Sequence, residues 1–270
     1  MKQYKIVVIC MCILLLLAGG AYAQQKTVRI LAIGNSFSQD AVEQYLYELA
    51  EAAGYELIIG NMYIGGCDLD KHWANFQSDA AAYEYRKIVK GEKVGKTGYK
   101  LSQGLADENW DYISLQQASG KSGKYETYTV LADLIAGIKE RCPKAKLLWH
   151  QTWAYASSST PESFPDDDSN QMTMYSSIVT AARQAMTNHT DLSLLIPSGT
   201  AIQNGRTSFL GDAFNRDGYH LEVTYGRYTA ACTWFEMITG QNVVGNPYAP
   251  ETIDPQVVKI AQNAAHYAVQ

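Results

Sequence analysis

A chain of 270 residues, 47% of them hydrophobic, can bury a full core without disulfide or metal staples. Its 22 Lys and Arg against 27 Asp and Glu give a formal charge of −5 with no basic stripe, which argues against a nucleic-acid binder.

The first element is "MKQYKIVVICMCILLLLAGGAYA": two lysines, an unbroken apolar run from Ile6 to Ala18, and small residues ending in Ala21-Tyr22-Ala23. It reads as a secretory signal peptide cleaved after Ala23, which predicts a periplasmic or secreted product. A transmembrane anchor would need about 20 apolar residues, and this run is shorter. Cleavage removes Lys2 and Lys5, so the formal charge moves from −5 to −7. It also leaves three of the five cysteines, Cys67, Cys142 and Cys232. At most one disulfide can form, and the spacing suits neither a disulfide scaffold nor a zinc site. Residues 24–270 are expected to form one domain.

From there strand-like apolar runs alternate with helical patterns. "VRILAIG" precedes a helix over Gln39 to Ala53, "LIIGNMYI" one over Asp68 to Val89, and "DYISLQQ" one over Tyr125 to Cys142. "KAKLLWHQ" precedes a helix over Met172 to Asn188, and "LSLLIPS" is followed after a loop by one over Leu221 to Thr239. Such alternation predicts βαβ units, and strands apolar throughout are those covered on both faces. The expected fold class is α/β, a three-layer α/β/α sandwich on a central parallel sheet of about five strands. Two stretches break the rhythm: Gly91 to Trp110, read as a loop or hairpin before a short helix, and the polar loop Ser157 to Asn170. The acidic run Asp166 to Asp168 in that loop reads as a solvated face.

Ser36 sits where the first strand gives way to a helix, in "GNSFSQD". A serine there can be a turn residue, a cap or a nucleophile, and Ser38 is the better cap candidate. Far along the chain, "NRDGYHLEV" places Asp217 three residues before His220. A serine nucleophile needs a base within hydrogen-bond reach and a third group that orients the base, and one Asp-x-x-His turn can supply both.

With "IGGCDL" after the second strand and "SLQQAS" after the third, these segments resemble, in order, the blocks of the SGNH (GDSL-type) hydrolase superfamily. The chain looks like an exported bacterial branch related to carbohydrate esterases. The resemblance implies a flavodoxin-like fold, Ser36 as nucleophile, and His220 and Asp217 as base and orienting acid. It also implies an oxyanion hole from the N–H groups of Ser36 and Gly66 with a side-chain donor, Gln116 or alternatively Gln117. Two departures stand out: Asn35 occupies a position where the family carries Asp, and Gln116-Gln117-Ala118-Ser119 replaces Gly-x-Asn-Asp.

Near the strand ends, His150, Trp153, Tyr155 and His72 are candidate substrate-binding residues, because aromatic and amide groups suit sugar rings; buried packing is the competing reading. Asp68 and His72 lie one helical turn apart, but two ligands do not make a metal site, and no metal or other cofactor is expected. The function expected is an exported serine esterase that removes short acyl groups, acetyl above all, from a carbohydrate ester. The alternatives are a lipid or lysophospholipid esterase on the same triad and a non-catalytic glycan-binding protein. Neither nucleic acid nor a stable membrane anchor is expected as a partner.

Overall fold

The first strand, β1 (Lys26–Gly34), alternates its side chains between two apolar interiors: Ile30 and Ala32 face one, Leu31 and Ile33 the other. A strand buried on both faces must have helices above and below it, and this one does. The computed structural model describes residues 26–160 and 164–270, and the predicted signal peptide lies outside the described residues.

Among the described residues seven strands form one sheet, in the order β4 (Glu92–Tyr99), β3 (Tyr83–Val89), β2 (Tyr55–Tyr63), β1, β5 (Tyr112–Leu115), β6 (Lys146–His150) and β7 (Leu192–Ile196). Five are parallel: β2, β1, β5, β6 and β7. One face is covered by α1 (Ser36–Val42), α2 (Leu46–Ala52), α7 (Ser198–Arg206), α8 (Tyr225–Thr239) and α9 (Pro255–Val269). The other is covered by α3 (Leu69–Ser78), α4 (Leu101–Ala106) and α5 (Leu131–Arg141), while α6 (Gln171–Asn188) contributes to both cores. This is the three-layer α/β/α arrangement with five parallel strands. Because β1 is flanked by β2 on one side and β5 on the other, the chain winds outward from it in both directions. The crevice at the carboxyl ends of such strands is where open α/β sheets bind ligands.

Three expectations change. The helix over Asp68 to Val89 stops at Ser78, where Asp79 turns left-handed (φ 49°) and its carboxylate accepts from Ser102 and Lys100. Tyr83–Val89 is instead β3, antiparallel to β2, with Tyr83 and Tyr85 inward in period two. It pairs with β4 (Glu92–Tyr99) through the two-residue Lys90-Gly91 turn, both residues at positive φ as such hairpins require. The sheet therefore has seven strands, and Gly91 to Trp110 resolves into β4 and α4. The helix over Gln39 to Ala53 is two helices, broken at Tyr45, a non-glycine residue at φ 69° whose hydroxyl donates to Val223 O. Cys67, Cys142 and Cys232 are all free thiols.

Candidate active site

The site begins with a cap. Asn35 is the N-cap of α1, its Oδ1 accepting from Phe37 N at 2.9 Å. Ser36 is therefore the first helical residue, where the main-chain N–H has no partner inside the helix. Ser38, the expected cap, lies inside the helix, with its hydroxyl 2.7 Å from Asn35 O and 3.0 Å from Asn61 Oδ1.

Opposite Ser36, residues 214–222 fold back on themselves. Glu222 N donates to Phe214 O, Arg216 N donates to His220 O, and Asn215 bridges Leu221. Gly218 at the tip has φ 92°, open to glycine at little cost. Within this turn Asp217 Oδ1 accepts from His220 N at 2.8 Å and Tyr219 N at 3.3 Å, and Oδ2 lies 2.7 Å from His220 Nδ1. His220 Nε2 lies 2.8 Å from Ser36 Oγ. Partial burial opposes ionisation of Asp217, but the His220 ring and the two N–H groups outweigh it and hold the carboxyl below its ordinary value. An ionised Asp217 fixes the proton of His220 on Nδ1, leaving Nε2 to accept from the serine hydroxyl. Trp153 sets the turn from behind: its ring stacks on Phe37 at 4.3 Å and its Nε1 donates to Tyr219 O.

Ser36 and His220 open onto a cleft of about 440 Å³ bordered by Tyr63, Gly65, Gly66, Ala118, Ser119, Gly120, Tyr155 and Tyr219. Three tyrosines border it together with glycine, alanine and serine. A larger cavity of about 580 Å³, between the 244–255 segment and α9, has Glu251 and Lys259 as its titratable residues and no nucleophile beside a base. Among the described residues no three His, Cys, Asp or Glu gather in a way that could hold a metal ion. No helix among them is long and apolar enough to cross a membrane.

Residues 29–268 match the model of a domain of unknown function, DUF4886. A crystal structure of a DUF4886 family protein from Bacteroides uniformis ATCC 8492 is similar at 56% identity and a TM-score of 0.89, covering 90% of this chain and 95% of that one. The chain belongs to the DUF4886 family. The DUF4886 fold is in turn that of the SGNH hydrolases. A candidate SGNH hydrolase from Slackia heliotrinireducens superimposes with a TM-score of 0.53 at 20% identity, over 79% of this chain and all (100%) of the other. A candidate GDSL-like lipase from Parabacteroides merdae ATCC 43184 does so with 0.52 at 14% identity, over 80% and 97%. No curated protein matches the chain.

In this DUF4886 site the glutamines hold the scaffold together and do not reach the cleft. Gln117 Oε1 accepts from Leu69 N and Ala118 N, and its Nε2 donates to Thr127, so it ties loops together. Gln116 is 2% exposed, with Nε2 donating to Asn35 Oδ1 and Oε1 accepting from His150 Nδ1, both at 2.9 Å. Neither borders the cleft, so the expected side-chain oxyanion donor is corrected. From this segment the cleft is bordered instead by Ala118, Ser119 and Gly120, with the Ser119 hydroxyl 2.8 Å from Tyr155 OH.

Three of the four expected substrate-binding residues are likewise interior. His150 is buried between Gln116 and Ser198 Oγ, and burial lowers its pKa to about 3. His72 is buried against Tyr83 OH, and burial lowers its pKa to about 4 against the opposing pull of Asp68. Asp68 itself caps α3 and pairs with Lys121. Trp153 is fully buried. Tyr155 alone of the four borders the cleft, joined by Tyr63 and Tyr219, which the sequence did not single out although each sits at a strand end or beside the Asp217–His220 turn. Of the acidic run, Asp166 pairs with Lys124 at 2.5 Å.

Asn35 also finds its explanation. Its Nδ2 donates to Cys67 O at 2.9 Å while Oδ1 takes Phe37 N and Gln116 Nε2. A carboxylate in its place would have no proton for Cys67 O.

Proposed function

We propose that this DUF4886 protein is an exported serine esterase that removes short acyl groups, acetyl above all, from carbohydrate. The observation that carries the reading is the unbroken relay Ser36 Oγ–His220 Nε2 (2.8 Å) and His220 Nδ1–Asp217 Oδ2 (2.7 Å) at the carboxyl end of β1. Ser36 Oγ attacks the ester carbonyl as His220 takes its proton, and Asp217 orients the ring and stabilises the imidazolium. The developing oxyanion faces the N–H groups of Ser36 and Gly66, donors of a kind each worth about 10²–10³ in rate. The tetrahedral adduct collapses, the sugar oxygen leaves with the proton returned by His220, and an acyl ester remains on Ser36. Water, deprotonated by the same imidazole, attacks that ester and releases the carboxylic acid and free serine.

The small cleft with its three tyrosines supports a short acyl group and a sugar leaving group, because aromatic faces suit sugar rings and Ala118 is the one aliphatic side chain among the described residues bordering it. The test is hydrolysis of p-nitrophenyl acetate, butyrate and octanoate by the purified protein beside Ser36→Ala. The acetate is expected to be the best substrate and the variant to lose at least about 10³-fold in kcat. Equal turnover by the two proteins would remove Ser36 as nucleophile, and a preference for octanoate would turn the reading toward a lipid esterase.

A further inference from the structure

Four residues beyond Ser36, on the same face of α1, stands a carboxylate that the relay does not use. Asp40 is fully buried, and its partners are unusual in where they lie. Leu221 N donates to its Oδ2 at 2.9 Å, Arg216 Nη1 lies 3.1 Å from the same oxygen, and Arg227 Nη2 of α8 lies 2.7 Å from Oδ1. Leu221 directly follows His220, and Arg216 directly precedes Asp217. One carboxylate thus grips the catalytic turn at both ends from the helix that carries the nucleophile. Arg216 Nη1 also donates to Leu221 O, closing the turn's neck. Arg216 Nε meanwhile lies 4.0 Å from Asp217 Oδ2, the oxygen paired with His220 Nδ1.

We infer that Asp40 is a positioning residue of the reaction: it holds the Asp217–His220 turn against Ser36 and keeps the Arg216 guanidinium from taking Asp217 away from His220. This rests on the Ser36 esterase reading. Arg216 is itself solvent-exposed, so its guanidinium is free to swing once Asp40 no longer holds it, and the carboxylate within reach is Asp217, with which a guanidinium makes strong charge-assisted hydrogen bonds.

Asp40→Asn tests this because it keeps the shape and an acceptor for Leu221 N while removing the charge. With p-nitrophenyl acetate, kcat is expected to fall about 100-fold, the scale of a small misplacement of catalytic groups, with KM within about twofold of wild type. Adding Arg216→Gln removes the displaced cation, so the double variant is expected to regain about tenfold in kcat over Asp40→Asn. A double variant no more active than the single one would mean that Asp40 only stabilises the fold, and wild-type kcat in Asp40→Asn would overturn the inference outright. If Asp40→Asn does not fold, Arg216→Gln and Arg227→Gln decide. Both remove one partner of Asp40, but only the first touches the catalytic turn, so only the first is expected to lose about tenfold in kcat. Equal losses in the two overturn the inference. Ser36→Ala separates the levels: an active Ser36→Ala sinks the esterase reading, whereas an inactive one beside wild-type-like Asp40→Asn sinks the role of Asp40 alone.

Discussion

Asn35 shows how one side chain can couple three segments of the chain. Because its Oδ1 accepts from Phe37 N, the Gln116 atom facing that oxygen must be the amide nitrogen. Gln116 Oε1 must then accept, so His150 carries its proton on Nδ1 and takes the Ser198 hydroxyl proton on Nε2. The outer end of this chain is Asn35 Nδ2 donating to Cys67 O, the residue after Gly66, whose N–H faces the cleft in the proposed mechanism. Asn35→Asp keeps the cap and breaks this one bond, setting a carboxylate against a carbonyl. It is expected to lose about 1–3 kcal/mol of stability, the cost of an unsatisfied buried acceptor, and about tenfold in kcat with little change in KM. Urea melts and steady-state kinetics on p-nitrophenyl acetate measure the two, and a variant unchanged in both would remove Asn35 from the support of the Gly66 loop.

Among the elements, the first turn of α7 rests directly on the main chain that follows β6. Gly199 N donates to Gln151 O, and a Cβ on Gly199 would lie 2.1 Å from Thr152 O, closer than any packed atoms can approach. The segment beneath it carries Trp153, whose indole holds Tyr219 O next to His220. Gly199→Ala is therefore expected to destabilise by about 3 kcal/mol, at the upper end of overpacking, and to lower activity by shifting Trp153. A thermal melt within a degree of wild type would show that α7 moves aside freely. The β3–β4 hairpin serves the site from the other side. Arg86 of β3 stacks 3.7 Å over the Tyr63 ring at the cleft wall and is itself paired with Glu43 and Glu84.

For the molecule as a whole, His72 and His150 tie stability to pH. Burial lowers their pKa values from 6.5 to about 4 and about 3, so the folded state leaves them neutral where the unfolded chain binds protons. Stability is then full above pH 6.5 and falls as the pH drops below it, until the folded values are reached. Each histidine contributes a slope of about 1.4 kcal/mol per pH unit in that window. Between pH 6 and pH 5 the His150→Gln variant is expected to show a slope smaller than wild type by about that amount, read from urea unfolding at several pH values. Parallel slopes would mean that His150 takes up a proton in the folded state.

The periodicities of the sequence determined the layers. Apolar strands between amphipathic helices have no stable solution but a sheet covered on both faces, and five such strands could be read directly. The spacing of Asp217 and His220 was also local, since three residues and a glycine suffice to bring a carboxylate to an imidazole. The tertiary structure decided what depended on distant partners. Tyr83–Val89 became a strand because β2 offered an open edge, and its period-two pattern was legible but brief. Gln116, His150, Trp153 and His72 carry the chemistry of a binding site, yet polarity does not record depth: only the packed sheet shows that Gln116 and His150 bond each other, Trp153 holds Tyr219 O and His72 meets Tyr83 OH. The same holds for Asp40, one charge in "SFSQD" until folding brings Arg216, Leu221 and Arg227 around it from more than 170 positions away.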